Sequence, residues 1–341
     1  MNTDAPLLVI RFSALGDVAM TVPVLRTLVS EYPTVQVCMV SNQSYAPLFE
    51  GIERVRFFGV DLQGRHRGLL GIYRLFTDLK KMGPYRGVAD LHSVLRSVLL
   101  SSLWTGTGLP IAHLQKGRGQ KRKLTRRYHK KRLALPSSFD RMASVFASLN
   151  FPIQGLPFSA PSIFTRKTHR SELFRIGVAP FAKHPEKAYP LSLMKELIAL
   201  LASRGDLSIQ LFGGGASETG LLQQWEKEFP GVMSMAGRFS LREELVQISK
   251  LDAMISMDSA NMHLASLSGI PVLSIWGPTH PFAGFMGWRQ PIELAVQVDL
   301  ACRPCSVFGN KRCYRGDHAC MRQIEPKTIV ARLDHLLELL R

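Results

Sequence analysis

The sequence predicts an α/β protein of two domains, each a parallel sheet covered by helices. Two observations carry this. Apolar runs of strand length alternate with helix-length amphipathic segments, the pattern of sheets wound with helices. Residues 151–172 then break the alternation: Pro152, Pro157 and Pro161 punctuate a stretch without helical periodicity, which reads as an interdomain linker. A chain of 341 residues fits two domains of roughly 100–200 residues each.

In the first half, Leu7–Arg11 is a strand and Thr21–Glu31 a helix, with Pro23 tolerated only near its start. Val35–Val40 is the second strand. Leu69–Met82 is helical, Gly87–Leu91 is a short strand, and Val94–Trp104 and Ser137–Leu149 are helices on either side of a basic loop. The alternation restarts with the strand Arg175–Ala179, the helix Leu191–Ser203, the strand Leu207–Phe212 and the helix Glu218–Glu228. Ala253–Met257 is a strand, Ala260–Leu267 a helix, Pro271–Ile275 a strand and Lys327–Leu340 an amphipathic terminal helix. Ligands of such folds bind at the carboxyl ends of the strands.

Composition narrows the function. Apolar residues make up 46% of the chain, enough for two cores. No apolar run reaches the ~18–20 residues of a membrane span. The start, Met1–Pro6, is polar and acidic before only four apolar residues, unlike a secretory signal, so a cytoplasmic location is expected. The net charge of +17 is concentrated where no acid occurs, between Asp90 and Asp140. There Lys116, Arg118, Lys121, Arg122, Lys123, Arg126, Arg127, Lys130, Lys131 and Arg132 predict an anionic partner or a solvated loop. The aromatic and glycine pattern of an RNA-recognition module is missing around them, which argues against nucleic acid.

Cys38 reads as a core residue. Cys302, Cys305, Cys313 and Cys320 lie together, and their Cys-x-x-Cys opening suits a structural zinc that staples a loop. The later spacings depart from a paired zinc ribbon, so reduced thiols or adventitious disulfides remain alternatives.

Three loops follow strands and carry the candidate chemistry. In Arg11–Asp17, Gly16 permits a tight turn, and Asp17 either accepts a proton from a substrate hydroxyl or caps a helix. The loop lacks the three-glycine dinucleotide signature, which disfavours a nicotinamide cofactor. In Ala179–Lys187, Lys183 and Lys187 are each either a phosphate contact or an exposed surface lysine. Gly213, Gly214 and Gly215 with Glu218 can wrap a phosphate or ribose, or simply make a turn. In Asp258–His263 a helix begins directly after a strand, and its free N–H groups and dipole favour an anion. Ser259 adds a hydroxyl, and His263 lies one turn further on the same face.

With these residues the chain resembles the heptosyltransferases of glycosyltransferase family 9, which build the inner core of lipopolysaccharide. The matching elements are Arg11–Asp17 with Pro23, Lys187, Asp258–His263 with Gly269-Ile270-Pro271, and Trp276-Gly277-Pro278-Thr279. Asp90-Leu91 with Arg96-Ser97 and the cysteine cluster extend the likeness over nearly the whole chain.

The resemblance implies a GT-B fold, two Rossmann-like domains with parallel sheets facing a central cleft. It implies an acceptor domain at 1–155, a linker at 156–172, a donor domain at 173–325 and a terminal helix at 326–341 packing back on the first domain. Asp17 would be the base of an inverting transfer, and Lys187 would balance charge on the departing diphosphate. Lys183, Gly213, Gly214, Glu218, Asp258, Ser259, Ala260 and His263 would surround an ADP-sugar, typically ADP-L-glycero-D-manno-heptose. Ser13, Gly16, Arg96, Lys121, Arg122 and Arg126 would meet the acceptor, an anionic lipopolysaccharide precursor at the inner face of the cytoplasmic membrane. No cofactor is needed for such a reaction. Many members have Gly where this chain has Ala260, whose methyl narrows the diphosphate site. A different nucleotide sugar, a nucleic-acid-binding protein and a non-catalytic GT-B scaffold are the alternatives.

Overall fold

A computed structural model describes residues 5–155 and 173–341, and the expected linker at 156–172 lies outside the described residues. The chain divides into two compact units. The first holds residues up to Gly117 and the stretch beginning at Ser137; the second holds Arg118–Pro136 and everything from residue 173 onward.

In chain order the first part runs β1 Leu7–Ile10, α1 Leu15–Ala19, α2 Thr21–Glu31, β2 Val37–Asn42, β3 Val55–Val60 and α3 Gly68–Lys81. It continues with β4 Gly87–Asp90, α4 Leu95–Ser102, β5 Ile111–His113, α5 Arg118–Thr125 and α6 Ser138–Ala147. The later part runs β6 Phe174–Ala179, α7 Leu191–Ala202, β7 Leu207–Leu211, α8 Ala216–Glu228, β8 Val232–Ser234 and α9 Leu241–Ile248. It ends with β9 Ala253–Met257, α10 Ala260–Leu267, β10 Val272–Ile275, β11 Ala295–Val296, α11 Ala319–Arg322 and α12 Pro326–Leu340.

Each unit holds one parallel sheet, ordered β3-β2-β1-β4-β5 in the first and β11-β10-β9-β6-β7-β8 in the second. Counted from its own first strand, each sheet has the order of a doubly wound nucleotide-binding fold. β1 and β9 are buried along their whole length, as strands with helices on both faces must be. Around the first sheet, Leu8, Ile10, Val40 and Val88 pack with Ile72, Leu75 and Leu79 of α3 and Leu100 of α4.

In such sheets the order reverses beside the first strand. The reversal falls between β1 and β4 in one unit and between β6 and β9 in the other. A crevice forms there at the carboxyl ends of the strands. The loops after those four strands include the three singled out by sequence, Arg11–Asp17, Ala179–Lys187 and Asp258–His263.

α12 contributes to the core of the second unit. Its Ile329, Leu333, Leu336 and Leu337 join a cluster with Leu197, Leu201 and Leu273. Their spacing makes one apolar stripe, and Pro326 starts the helix where its missing N–H costs nothing. The basic stretch Arg118–Pro136 also belongs to the second unit, and part of it is helical rather than loop.

Leu333→Ala should destabilise the protein by about 2–5 kcal/mol, the usual cost of emptying a closed core site, read by urea unfolding.

Candidate active site

In the first unit the loop after β1 is fixed by an arginine. Arg11 is buried, and its guanidinium donates to the carbonyls of Leu91 and, at 3.1 Å, Ser13. A further nitrogen meets the Asp17 carboxylate at 2.7 Å. Arg11 thus ties the β1 loop to the β4 loop and aims Asp17. No side chain caps α1, so Asp17 does not serve as its cap. Its side chain is 38% exposed, open enough to meet a substrate hydroxyl. Ser13 is half-buried, whereas Gly16 is buried inside α1.

The β4 loop is organised by Asp90, which is fully buried. Its carboxylate accepts from the backbone N–H groups of His92 and Ser93 at 2.9 Å each and from the Ser97 hydroxyl at 2.9 Å. His113 Nδ1 lies 3.1 Å from it. A buried carboxylate is tolerated only with such a set of donors. The loop presents His92, whose ring packs edge-on against Phe12. Burial, with Arg11 and Lys116 nearby, pushes the His92 imidazole down to about 4, so it is neutral near pH 7. His92 Nδ1 and the Ser93 hydroxyl are buried without a hydrogen-bond partner among the described residues. Such atoms await a ligand or water. Sequence reading missed both. Their only signal was their place directly after the Asp90-Leu91 motif.

In the second unit the loops after β6 and β9 meet. Lys187 Nζ lies 3.1 Å from Asp258 Oδ2, with side chains only 13% and 9% exposed. β6 and β9 pair in register up to Ala179 opposite Ser256, which brings the two loops together. Asp258 is followed by Ser259 and α10. No side chain caps α10; the Ser259 hydroxyl sits 3.3 Å from the Ser256 hydroxyl instead. The first N–H groups of α10 therefore keep their capacity for an anion beside a lysine. His263 is buried one turn further along. Ala260 opens the helix with its methyl in the first turn.

The remaining candidates fall into place around this pair. Lys183 is exposed on the same loop. Glu218 accepts from the Gly214 N–H at 2.8 Å, so it closes the turn at Gly213 and Gly214. Arg303, read from sequence only as part of the cysteine motif, is buried. It donates to the carbonyls of Trp276 and Thr279 at 3.0 and 3.1 Å and to Gln297 Oε1 at 3.0 Å. It thereby rigidifies the turn after β10. The Thr279 hydroxyl in that turn is buried without a partner among the described residues.

The model of glycosyltransferase family 9 (heptosyltransferase) matches residues 72–312, more than half of the chain. The chain belongs to glycosyltransferase family 9. It is 27% identical over 134 residues to lipooligosaccharide heptosyltransferase 2 of Campylobacter jejuni, covering 38% of this chain and 41% of that protein. That match therefore spans less than half of the curated relative's length. Lipopolysaccharide heptosyltransferase 1 of Pseudomonas aeruginosa is 25% identical over 366 residues, 97% of each chain. The E. coli heptosyltransferase WaaC, solved with ADP, shares the fold with a TM-score of 0.67 at 17% identity, over 97% of this chain and 99% of that one. Solved with ADP-2-deoxy-2-fluoro heptose, it gives 0.65 at 18% identity with the same coverage.

Cys302, Cys305, Cys313 and Cys320 are unbonded thiols lining one small cavity with Tyr314, Asp317 and His318. Among the described residues no group of three or more His, Cys, Asp or Glu is placed to hold a metal ion. The side chains have other commitments. Cys313 Sγ lies 3.9 Å from Asp317 Oδ1. Cys320 is packed in the apolar core, where burial pushes its thiol up to about 12.

Lys121 is buried with its ammonium 4.1 Å from the centre of the Phe285 ring. Lys130 donates to the carbonyls of Cys302 and Pro304 at 2.7 and 2.6 Å. Arg132 pairs with Asp299 at 3.0 Å, and Arg127 stacks over Tyr314. Arg122 and Arg126 are exposed, and Arg96 is half-buried on the first unit.

The cysteine loop steadies the lysine loop. Glu186, beside Lys187, pairs with His318 and accepts from the Cys313 N–H at 3.0 Å. Gly309 lies against Lys187: a Cβ there would come within 1.8 Å of the Lys187 Cγ, and its φ of +71° already favours glycine. Gly309→Ala should displace Lys187 and lower turnover by up to about 100-fold, the reach of a displacement of about 1 Å within a site. Steady-state kinetics beside an unchanged circular dichroism spectrum would check this.

Proposed function

We propose that this protein is an inverting glycosyltransferase that moves a heptose from an ADP-sugar to the inner core of lipopolysaccharide. One observation carries the reading. The reversal point of the second sheet holds a lysine and an uncapped helix N-terminus suited to a diphosphate, while that of the first holds an oriented, accessible carboxylate. The ADP ligands of the E. coli relative and the full-length match to the Pseudomonas heptosyltransferase support an adenine-nucleotide heptose donor.

In this reading Asp17 takes the proton of an acceptor hydroxyl as that oxygen attacks the anomeric carbon. The bond from that carbon to the diphosphate oxygen breaks on the opposite face, which inverts the centre. Lys187 and the N–H groups opening α10 take up the charge of the departing diphosphate. Asp258 holds Lys187 in place. No step is assigned to a metal ion.

Asp17→Asn should lower turnover by about 10²–10⁴-fold, the usual contribution of a general base. ADP should still raise the thermal midpoint of this variant as it does for the unaltered protein, with UDP and GDP giving smaller shifts. Undiminished transfer would remove Asp17 from the mechanism. A larger shift with UDP or GDP would favour another nucleotide sugar.

The acceptor in this reading is an anionic lipid presented at the inner face of the cytoplasmic membrane. The exposed cations Arg118, Arg122, Lys123, Arg126 and Lys131 supply the complementary field. Among the described residues no helix is long and apolar enough to cross a membrane. Reversing charge at Arg122 and Arg126 should raise the acceptor Michaelis constant, most strongly at low salt, with the donor constant unchanged. An acceptor constant that ignores both the substitutions and salt would discard this role.

A further inference from the structure

α3 and α4 pack beside each other on one face of the first sheet. Ile72, Leu75 and Leu79 of α3 and Leu100 of α4 face the core. Their outer sides should be polar, yet Leu69 and Leu70 are 74% and 76% exposed, Tyr73 58% and Leu95 78%, with Val98 also open. A monomeric soluble protein seldom leaves such large apolar side chains clustered in water without a use for them.

Their position is informative. α3 follows β3 and α4 follows β4, and all strands of the sheet are parallel. Both helices therefore begin at the carboxyl edge of the sheet, the edge that carries Asp17 and His92. Leu69, Leu70 and Tyr73 occupy the first turns of α3, and Leu95 opens α4. The apolar cluster thus lies along the rim of the candidate acceptor site.

Its charge surroundings identify the occupant. Arg67, Arg74, Lys80 and Lys81 are exposed around α3, and Arg96 lies next to Leu95. Between Arg65 and Phe139 the only acids are Asp78 and Asp90. Asp78 is engaged by Arg65 at 2.9 Å and by His66 at 3.2 Å, and Asp90 is fully buried. Asp61, in the turn before α3, accepts from the backbone N–H groups of Gly64 and Arg65 at 2.8 and 3.1 Å. A second copy of this chain docked here would set these cations against each other. An apolar patch with an interfacial tyrosine and an unopposed cationic rim matches instead the boundary between acyl chains and anionic headgroups.

We propose that Leu69, Leu70, Tyr73, Leu95 and Val98 form a membrane-insertion face, with Arg67, Arg74, Lys80, Lys81 and Arg96 binding anionic headgroups around it. The face holds the rim of the first unit at the bilayer, so that a lipid-anchored sugar reaches Asp17 with its acyl chains still in the membrane. That last purpose rests on the proposed acceptor; the membrane contact itself does not.

The test uses the full chain and vesicles of phosphatidylethanolamine and phosphatidylglycerol, with phosphatidylcholine vesicles as the neutral comparison. The unaltered protein should co-sediment with the anionic vesicles. Part of that binding should survive near 1 M salt, where charges reach only about 3 Å and inserted apolar groups still hold. The combined variant Leu69→Ser, Leu70→Ser, Tyr73→Ser should partition at least tenfold less while keeping its thermal midpoint and its ADP response. Should that variant misfold, Tyr73→Trp gives an independent reading. All four native tryptophans are buried, so a tryptophan placed here reports from the patch. Its emission should shift to the blue on anionic vesicles and be quenched by brominated acyl chains.

Unchanged partitioning of a folded triple variant, or a Tyr73→Trp emission indifferent to vesicles, would overturn the proposal. So would a dimer of the unaltered protein that becomes monomeric in the triple variant while vesicle binding persists, since the face would then join two copies. Transfer to a deacylated, water-soluble acceptor separates this from the functional reading. The triple variant should retain that transfer, and its absence even in the unaltered protein would count against the proposed reaction, not the membrane face.

Discussion

The second unit depends on one electrostatic arrangement, a lysine and an aspartate facing each other at 3.1 Å where the sheet reverses its order. Both side chains are largely out of water, where each charge offsets the other. The pair is possible because β6 and β9 are adjacent although nearly eighty residues apart in the chain (Ala179 faces Ser256). Topology creates the contact, and the contact keeps a cation beside a helix end that is itself electropositive. An incoming dianion would meet a site already assembled, with little to reorganise. The first unit has the same logic with the sign reversed. There an arginine takes the inner position and leaves a carboxylate facing outward.

Much of this was legible from residue order. β9, α2 and α10 fall where the apolar runs place them, because each is an unbroken regular stretch. The three loops were recognisable because a strand followed at once by a helix leaves few functions for the residues between. The short edge strands β5, β8 and β11 carried no signal: two or three residues cannot display a period. β3 was hidden for another reason. Its burial is uneven and Arg56 interrupts its apolar run, as suits a strand at the border of a sheet.

Residue roles were less legible than elements. Asp17 reads from sequence as either a cap or a base, and only the position of Arg11 shows that it does not cap α1. Glu218 has the composition of a ribose contact but spends its carboxylate on the Gly214 N–H. His92 and Ser93 have no motif of their own; what marks them is a buried nitrogen and a buried hydroxyl left without partners. The cysteines were legible as a group. The four thiols do line one small cavity, and Cys320 belongs at the same time to a core assembled from distant strands and α12.

The segment Arg118–Pro136 leaves the first unit's chain, docks through Lys121, Lys130 and Arg132 on the second, and then returns to the first at Ser137. The two units are therefore not consecutive halves, and the boundary at 156–172 is not a place where they can be cut apart. A fragment starting after it would bare the Phe285 ring and the carbonyls of Cys302 and Pro304, while the other fragment would trail a cationic strap with nothing to grip. Chimeras that exchange donor halves between family members would inherit the same fault unless the strap travels with its surface. Over evolutionary time the two should change together, as a lock and its hasp would.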